Sequence, residues 1–510
     1  MYTTVGANGK ITIKAGDRIV PEALMDAHVA LSACSVSECD TNAGKLYRPC
    51  SGSPLTKSQQ RSITLVKEKN FYRTLFIVAL PAAFQALISM SVNMLDNLMV
   101  GSLGDISLAS VAQANQVSTL FTFIVNGIGG GAAVLVSQYW GKRDFDRIRR
   151  TFGVVLRFAA LLSLAVCGLI LLFPQTVMRI FTNDPSLIRE GARYLRILCL
   201  SYPFFALANT TVVLLRWVEI VKIGLAISCI SLGCNFVFNW IFIFGKLGVP
   251  ALGIRGAAVA TVIARCCEFA IAAFYLLKKE QRVRFRIRDF FTRDREMAGN
   301  FFQNSLPVIV GDSQWGLVGA VKAMLIGRLG VTMVSANSIA DVFLSLAVIF
   351  TNGLSAGACV VIGKSVGAGD YRRTREYSNT IQILFACLGV LVSAFVLSIR
   401  TLAPSLYNVS QETRDLAVTM LTIGGFTHLG TCYHAACFTG INRGAGDGKF
   451  VMKVDIVCGW LIVLPLTFLA GFIWKWPLWA VYLCTRIDQC FKWIIAFFRL
   501  RGNKWIKNVT

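Results

Sequence analysis

The sequence predicts an all-α polytopic membrane protein, with twelve transmembrane helices in two pseudo-symmetric six-helix lobes. Three observations carry this. Of 510 residues, 55% are hydrophobic and only 15% are charged, against about 25% charged in an average soluble domain. Apolar runs follow one another from Phe71 onward, each at or above the roughly 20 residues that a bilayer demands. The chain also aligns with itself, without a gap over most of two spans, when displaced by 226 positions. Disorder is excluded for the bulk of the chain, since it requires low hydrophobicity.

Residues 1–65 are polar, mixed and aperiodic, with no apolar run long enough for a signal peptide. They are expected to form a poorly ordered cytoplasmic extension. Cys34, Cys39 and Cys50 lie there with only His28 nearby, a poor match to metal-ligand spacing. The N-lobe is assigned to 66–277, with spans near 71–99, 106–139, 151–173, 193–216, 221–245 and 254–277. A basic linker, 278–300, leads to a C-lobe at 301–498, with spans near 301–327, 332–363, 377–399, 413–440, 450–473 and 476–498. A basic tail, 499–510, follows. Lipid cannot satisfy backbone polar groups, so such runs are helices or closed barrels. Two-residue alternation is absent, which selects helices.

The breaks between spans set the orientation. Lys142, Arg143, Arg147, Arg149 and Arg150 follow span 2. Lys278, Lys279, Arg282, Arg284, Arg286 and Arg288 follow span 6. Lys364, Arg372, Arg373 and Arg375 follow span 8, and Arg443, Lys449 and Lys453 follow span 10. Arg499, Arg501, Lys504 and Lys507 follow span 12. All are even-numbered exits, so one face collects the positive charge and both termini are expected in the cytoplasm. Arg179, Arg189, Arg193 and Arg196 after span 3 run against this rule. The net charge of +24 thus reflects membrane orientation, and nucleic acid is not an expected partner. The 16 Cys are scattered, many inside apolar runs, where small apolar packing is their default role.

The repeat pairs Leu80-Pro81 with Leu306-Pro307, and Gly101, Leu103 and Gly104 with Gly327, Leu329 and Gly330. Asn126-Gly127 pairs with Asn352-Gly353, Gly131 with Gly357, and Gly141 with Gly367. Asp144, Arg147 and Arg149 pair with Asp370, Arg373 and Arg375. These are mainly turn and charge residues, so a shared apolar bias does not explain them. Six spans per unit give both units the same orientation, with an axis along the membrane normal. Two such lobes can rock around a central cavity, the architecture of alternating access. No GxxxxGK[ST] or HExxH motif is present, so the energy source is expected to be an ion gradient, and the chain is not expected to be an enzyme or to need a cofactor.

Ionisable residues inside spans are costly and mark function. Asp96 is the leading candidate. Gln85, Ser89, Asn93 and Asp96 share one helical face of span 1, and a carboxylate there can bind Na⁺ or take a proton. The repeat places Lys322 opposite Asp96, so symmetry-related positions carry opposite charge. The two could form an ion pair, or Lys322 could compete with cargo or cation for a carboxylate. Asp312, Trp315, Gly319 and Lys322 share a face of span 7, which makes Asp312 a second candidate coupling acid. Asn209 in span 4, Asn235 and Asn239 one turn apart in span 5, and Thr261 in span 6 are further polar positions. So are Asp341, matched to Asn115, and Asp455. Arg265 and Glu268 are spaced for an internal ion pair. His428 and His434 lie in span 10.

Several of these segments resemble a known family. Asn93-Met94-Leu95-Asp96-Asn97-Leu98-Met99-Val100-Gly101, followed by Leu103-Gly104, is similar to the span 1 signature of the multidrug and toxic compound extrusion transporters. Gln138-Tyr139-Trp140-Gly141-Lys142 and Gly253-Ile254-Arg255-Gly256-Ala257-Ala258-Val259-Ala260-Thr261 add to it. The second unit contributes Gly363-Lys364-Ser365-Val366-Gly367-Ala368-Gly369 and Arg443-Gly444-Ala445-Gly446-Asp447. The resemblance covers about 65–510. It implies a V-shaped secondary transporter of the plasma membrane that exports amphiphilic or cationic organic compounds in exchange for H⁺ or Na⁺. It also implies an N-lobe cation cluster of Asp96, Asn209, Asn235, Asn239 and Thr261, with Na⁺ at Asp96 as the only candidate metal. Asn239 departs from the Asp of several members, which removes one carboxylate. Asp312 resembles the acidic position of span 7. The expected partners are a small organic substrate and the bilayer, and the expected state is a monomer. A lipid-linked precursor flippase of the same superfamily is the nearest alternative, and a membrane-embedded enzyme is an alternative of another class.

Overall fold

The computed structural model describes residues 2–5, 11–15, 18–19 and 65–510, save 104, 183, 408 and 503. The chain divides into two units, 1–62 and 63–510. In the first, β1 (Tyr2–Val5), β2 (Ile11–Ala15) and β3 (Arg18–Ile19) pair antiparallel in that order. Tyr2 stands opposite Lys14, and Lys14 opposite Ile19. These strands depart from the aperiodic reading of the N-terminal segment. Ile11-Thr12-Ile13-Lys14 alternates apolar and polar residues, the pattern of a half-covered strand. The expectation for the rest of that segment lies outside the described residues.

The second unit is helical. Its spans are α1 (Lys69–Gly101), α2 (Asp105–Lys142), α3 (Phe145–Leu172), α4 (Pro185–Trp217), α5 (Lys222–Phe244) and α6 (Ile254–Lys279). The second set is α7 (Arg295–Gly327), α8 (Val331–Gly367), α9 (Tyr371–Ile399), α10 (Gln411–Ala435, continuing to Asn442), α11 (Gly448–Ile473) and α12 (Leu478–Thr485 with Ile487–Arg501). Among the described residues, nine helices are long and apolar enough by themselves to cross a membrane. The exceptions are α7, α10 and α12. Charged and polar residues dilute the first two, and α12 breaks at Arg486 into pieces too short to span alone.

Local chemistry fixes the helix boundaries. Asp144 caps α3 by accepting from the Arg147 N–H at 3.1 Å, and Asp370 caps α9 by accepting from the Arg373 N–H at 3.0 Å. Each thereby satisfies an otherwise orphan donor. Asp184 does the same for α4, with Pro185 at the first helical position. Gly245, in the left-handed region at φ 66°, ends α5. Pro81 and Pro307 lie inside α1 and α7 at matching positions. In the linker, Glu280 gathers the N–H groups of Arg282, Val283 and Arg284. Asp294 caps α7. The Met297 N–H at 2.9 Å, with Arg150 at 3.2 Å, holds its carboxyl below the usual range.

The two lobes meet through α1 against α8 and α2 against α7 and α8. At the end of the molecule that carries the basic connections, the lobes share their apolar core. Val136, Tyr139 and Phe152 of the first lobe cluster with Ile309, Cys359 and Val360 of the second. Phe71 and Leu75 join Ile362, Phe385 and Ile441. Toward the opposite end the cores are separate. Val111, Phe121, Tyr202 and Ile243 belong to one cluster, and Ile326, Met333, Leu344 and Met420 to another. The molecule is therefore closed at its basic face and divided at the other.

The seam is built on glycine and obeys the repeat. A Cβ on Gly141 would lie 2.1 Å from the Lys364 carbonyl, and one on Gly367 would lie 1.9 Å from the Gln138 carbonyl. A Cβ on Gly127 would crowd the Ile309 backbone, and one on Gly353 would crowd Ala83. Each contact is the counterpart of the other under the 226-residue displacement, so the repeat in sequence is a two-fold relation in space. Gly367→Val is expected to force the crossing of α2 and α8 apart at a cost of about 3 kcal/mol. The thermal midpoint in detergent should fall by several degrees. Gly168→Ala, where a Cβ meets nothing within 4 Å, is the neutral control.

Candidate functional site

The last turns of α1 carry Asp96 to the buried face of α5. Asn235 and Asn239 are one helical turn apart there and almost fully buried. The Asn239 amide donates to Asp96 Oδ1 and, at 3.0 Å, to Asn235 Oδ1. Asn239 Oδ1 keeps no partner among the described residues. Thus three of the sequence-predicted positions form one polar knot in an apolar wall. No cation stands within ion-pair distance of Asp96 among the described residues. Arg265 on α6 is bound instead to Glu268 at 2.8 Å, as their spacing suggested, and lies 4.7 Å over the Phe205 ring.

The other expected members of the cluster make their hydrogen bonds elsewhere. Asn209 donates to Asn126 Oδ1 at 3.0 Å, joining α4 to α2. The Thr261 hydroxyl returns to the Ala257 carbonyl of its own helix at 3.0 Å. Gln85, at the far end of the α1 stripe, accepts from Arg216 of α4 at 2.9 Å, and the Ser89 hydroxyl folds back onto the Gln85 carbonyl. The stripe is therefore real, but its members engage different neighbours.

Asp312 is not a free acid. Arg443 donates to it at 2.7 Å across α10 and α7. This pair lies against Gly130 of the first lobe, where a Cβ would come 2.7 Å from the guanidinium and 3.2 Å from the carboxylate. By sequence Arg443 is one of the basic residues that follow span 10, with Lys449 and Lys453. In the structure α10 runs on through a π-helical stretch, Ala436–Asn442, and Arg443 turns inward. Lys322 does not meet Asp96. Its ammonium donates to the Thr485 carbonyl at 3.0 Å, a group left without a helical partner by the break in α12.

The second half of α12 holds what the sequence reading passed over. Lys492, buried to 2% exposure, pairs with Asp455 of α11 at 3.0 Å and with Asp488 one turn away at 2.9 Å. Its ammonium lies 5.3 Å from the centre of the Trp315 ring. Arg486 reaches Asp341 at 3.7 Å and the Tyr482 hydroxyl at 2.9 Å. The signal was present, since three charges inside one span call for internal partners. His434 faces the Gly430 carbonyl at 3.0 Å, whereas both ring nitrogens of His428 lack a partner among the described residues. No group of three or more His, Cys, Asp or Glu that could hold a metal ion occurs among the described residues.

Comparison with known proteins decides the lineage. The family model MatE matches residues 81–241 and again 307–469, one copy in each lobe. The chain belongs to the MatE family. Among curated relatives, the uncharacterized transporter YisQ of Bacillus subtilis is 21% identical over 450 residues, covering 88% of this chain and 98% of YisQ. The multidrug resistance protein MdtK of Yersinia enterocolitica is 24% identical over 403 residues, covering 78% and 87%. Among solved structures, the Vibrio cholerae MATE transporter VcmN superposes with a TM-score of 0.78 at 16% identity, covering 89% of this chain and 99% of VcmN. This MatE protein is accordingly a multi-pass membrane transporter of the two-lobed, twelve-span fold, and not an enzyme.

The Asp312–Arg443 pair generates a test. Arg443→Ala leaves a partly buried carboxylate, 23% exposed, without its cation and should cost about 2–3 kcal/mol, below the range for a fully buried pair, read as a fall in thermal midpoint. The double variant Asp312→Asn/Arg443→Gln, which buries no charge, should recover most of that fall. Equal losses in the two would show that the pair itself contributes little.

Proposed function

We propose that this MatE protein is a secondary antiporter. It exports small amphiphilic or cationic organic compounds across the plasma membrane in exchange for a cation, by alternating access. The basic face is cytoplasmic in this reading, because the connections there hold the Lys and Arg that a cytoplasmic face collects. The structure then represents the state closed to the cytoplasm. The names of relatives such as MdtK support the substrate class.

The observation that carries the reading is Asp96 itself. It is a carboxylate inside a span with no contacting cation among the described residues, and it is held by the Asn239 carboxamide, itself bonded to Asn235, on a neighbouring helix. Loading it with a cation removes the charge that the Asn239 amide donates to, which weakens the tie between α1 and α5. That coupling of occupancy to helix contact is what an exchanger needs. A proton fits better than Na⁺. The Asn239 amide turns its donor toward the acid, whereas Na⁺ would require oxygen ligands there. Asp312 and Lys322 act in this reading by positioning α7, through Arg443 and the Thr485 carbonyl. The charges of the C-lobe largely neutralise one another, which favours export of organic cations over handling of a polyanionic lipid precursor. The protein acts as a monomer.

Purified protein in liposomes, with imposed pH or Na⁺ gradients and ethidium as a fluorescent organic cation, tests this. Gradient-driven uptake is expected with a pH gradient. Asp96→Asn should reduce it to background with the thermal midpoint preserved. Wild-type rates in Asp96→Asn would remove the residue from the mechanism, and a response to Na⁺ alone would reassign the coupling ion.

A further inference from the structure

The segment after α12 bridges the two lobes at the basic face. Arg501 ends the helix, and the chain then turns back across the seam. Trp505 is buried to 1% exposure in the core cluster that joins Phe71 and Leu75 to Ile362, Phe385 and Ile441, and its indole donates to the Leu500 carbonyl of α12 at 3.1 Å. The Lys507 N–H donates to the Ala445 carbonyl at 2.8 Å, and its ammonium pairs at 2.6 Å with Asp447. Asp447 is fully buried and is also held by Arg499 at 2.7 Å. These contacts fasten the segment to the second lobe.

The same few residues also grip the first lobe. Gln138 of α2 is fully buried. Its amide donates to the Lys507 carbonyl at 3.1 Å and to the Gly444 carbonyl at 3.2 Å. Its Oε1 accepts from the Val509 N–H at 3.0 Å, and the Val509 side chain packs on the core cluster that both lobes share. Gly446, at φ 85°, makes room for the crossing, since a Cβ there would stand 2.7 Å from the Lys507 carbonyl. One glutamine side chain thus uses both ends to bind a peptide that is otherwise tied to the opposite lobe, save at its end, where the Lys142 ammonium of α2 donates to the Thr510 carbonyl. Helix packing within a lobe does not require this arrangement.

We propose that residues 504–510 form a strap that holds the lobes together at the basic face and must let go of Gln138 before that face opens. The strap sets the balance between the two access states and deepens the antiport reading, on which it rests. Because the segment is attached to the second lobe by a buried indole and by an ion pair to the fully buried Asp447, release takes place on the Gln138 side. Opening then breaks the two Gln138 contacts and the Lys142 contact to the strap, and the Gln138 contact to Gly444, while Trp505 stays in place.

Hydrogen exchange of the full chain in detergent, followed by mass spectrometry, tests this without any transport substrate. The intact chain is compared with Val509→Pro, which removes one donor, with Gln138→Ala, and with a chain ended after Arg501. Exchange at the basic ends of α2, α7 and α8 (131–142, 295–311 and 353–367) is expected to rise about tenfold in Gln138→Ala. The rise should be smaller in Val509→Pro, and the α6 segment 260–272 should not change. Unchanged exchange at those three ends would overturn the strap. So would a uniform rise throughout the second lobe, which would make the segment an ordinary part of that lobe's fold. Failure of antiport itself would appear in the liposome assay and leave these exchange rates untouched.

Discussion

The closest constraint in this molecule is backbone against backbone where α2 crosses α8. Gly141 faces the Lys364 carbonyl and Gly367 faces the Gln138 carbonyl, at separations that leave no room for a Cβ. Two helices that approach so closely gain dispersion contact along their whole crossing. They do so at one end only. Shared cores on that side and separate cores on the other follow from this placement, and so does the division of the far face. A seam confined to one end is a fulcrum, and a duplicated six-helix unit supplies two equivalent arms.

Charge inside the spans is distributed unevenly between the arms. In the second lobe Lys492 lies between two acids, Arg443 saturates Asp312, and Arg486 reaches Asp341. The Lys492 pairs are buried, and buried pairs hold geometry, so that breaking one partner is costly. In the first lobe Arg265 and Glu268 neutralise one another, and Asp96 is left with carboxamides alone. A carboxylate without a contacting counter-ion is the group whose state a passing cation can change most. The asymmetry arises from substitution at equivalent positions, since the repeat sets Asp96 against Lys322, and the lysine has found a carbonyl freed by a broken helix.

Much of this was legible in the amino-acid sequence, for identifiable reasons. Spans and lobe boundaries come from apolar length, which lipid imposes directly. The repeat was readable because the matched residues have local duties: Asp144 and Asp370 cap helices, and Gly141 and Gly367 clear the crossing. The Asp96–Asn239 contact was reachable through the family resemblance. What escaped depends on partners far apart in the chain. Arg443 and Asp312 are 131 positions apart, and nothing in the local pattern tells an inward-turning arginine from a loop one. The assignment of α12 to a plain apolar run hid Asp488 and Lys492. The assignment of 499–510 to a tail hid a segment that crosses the seam. The expected places of Asn209 and Thr261 beside Asp96 followed from family positions, whereas their side chains have nearer acceptors.

The central claim is that the lobes exchange closure between the two faces. Pulsed electron–electron distance measurement in liposomes addresses it most directly. One label pair replaces Asp146 and Arg372 at the basic face. The other replaces Leu247 and Ile473, which are exposed at the opposite face. Acidification from about pH 8 to about pH 5, which brackets protonation of a buried carboxylate, should lengthen one distance and shorten the other, and Asp96→Asn should remove the response. Distances that stay fixed, or that change together in the same direction, would contradict the account.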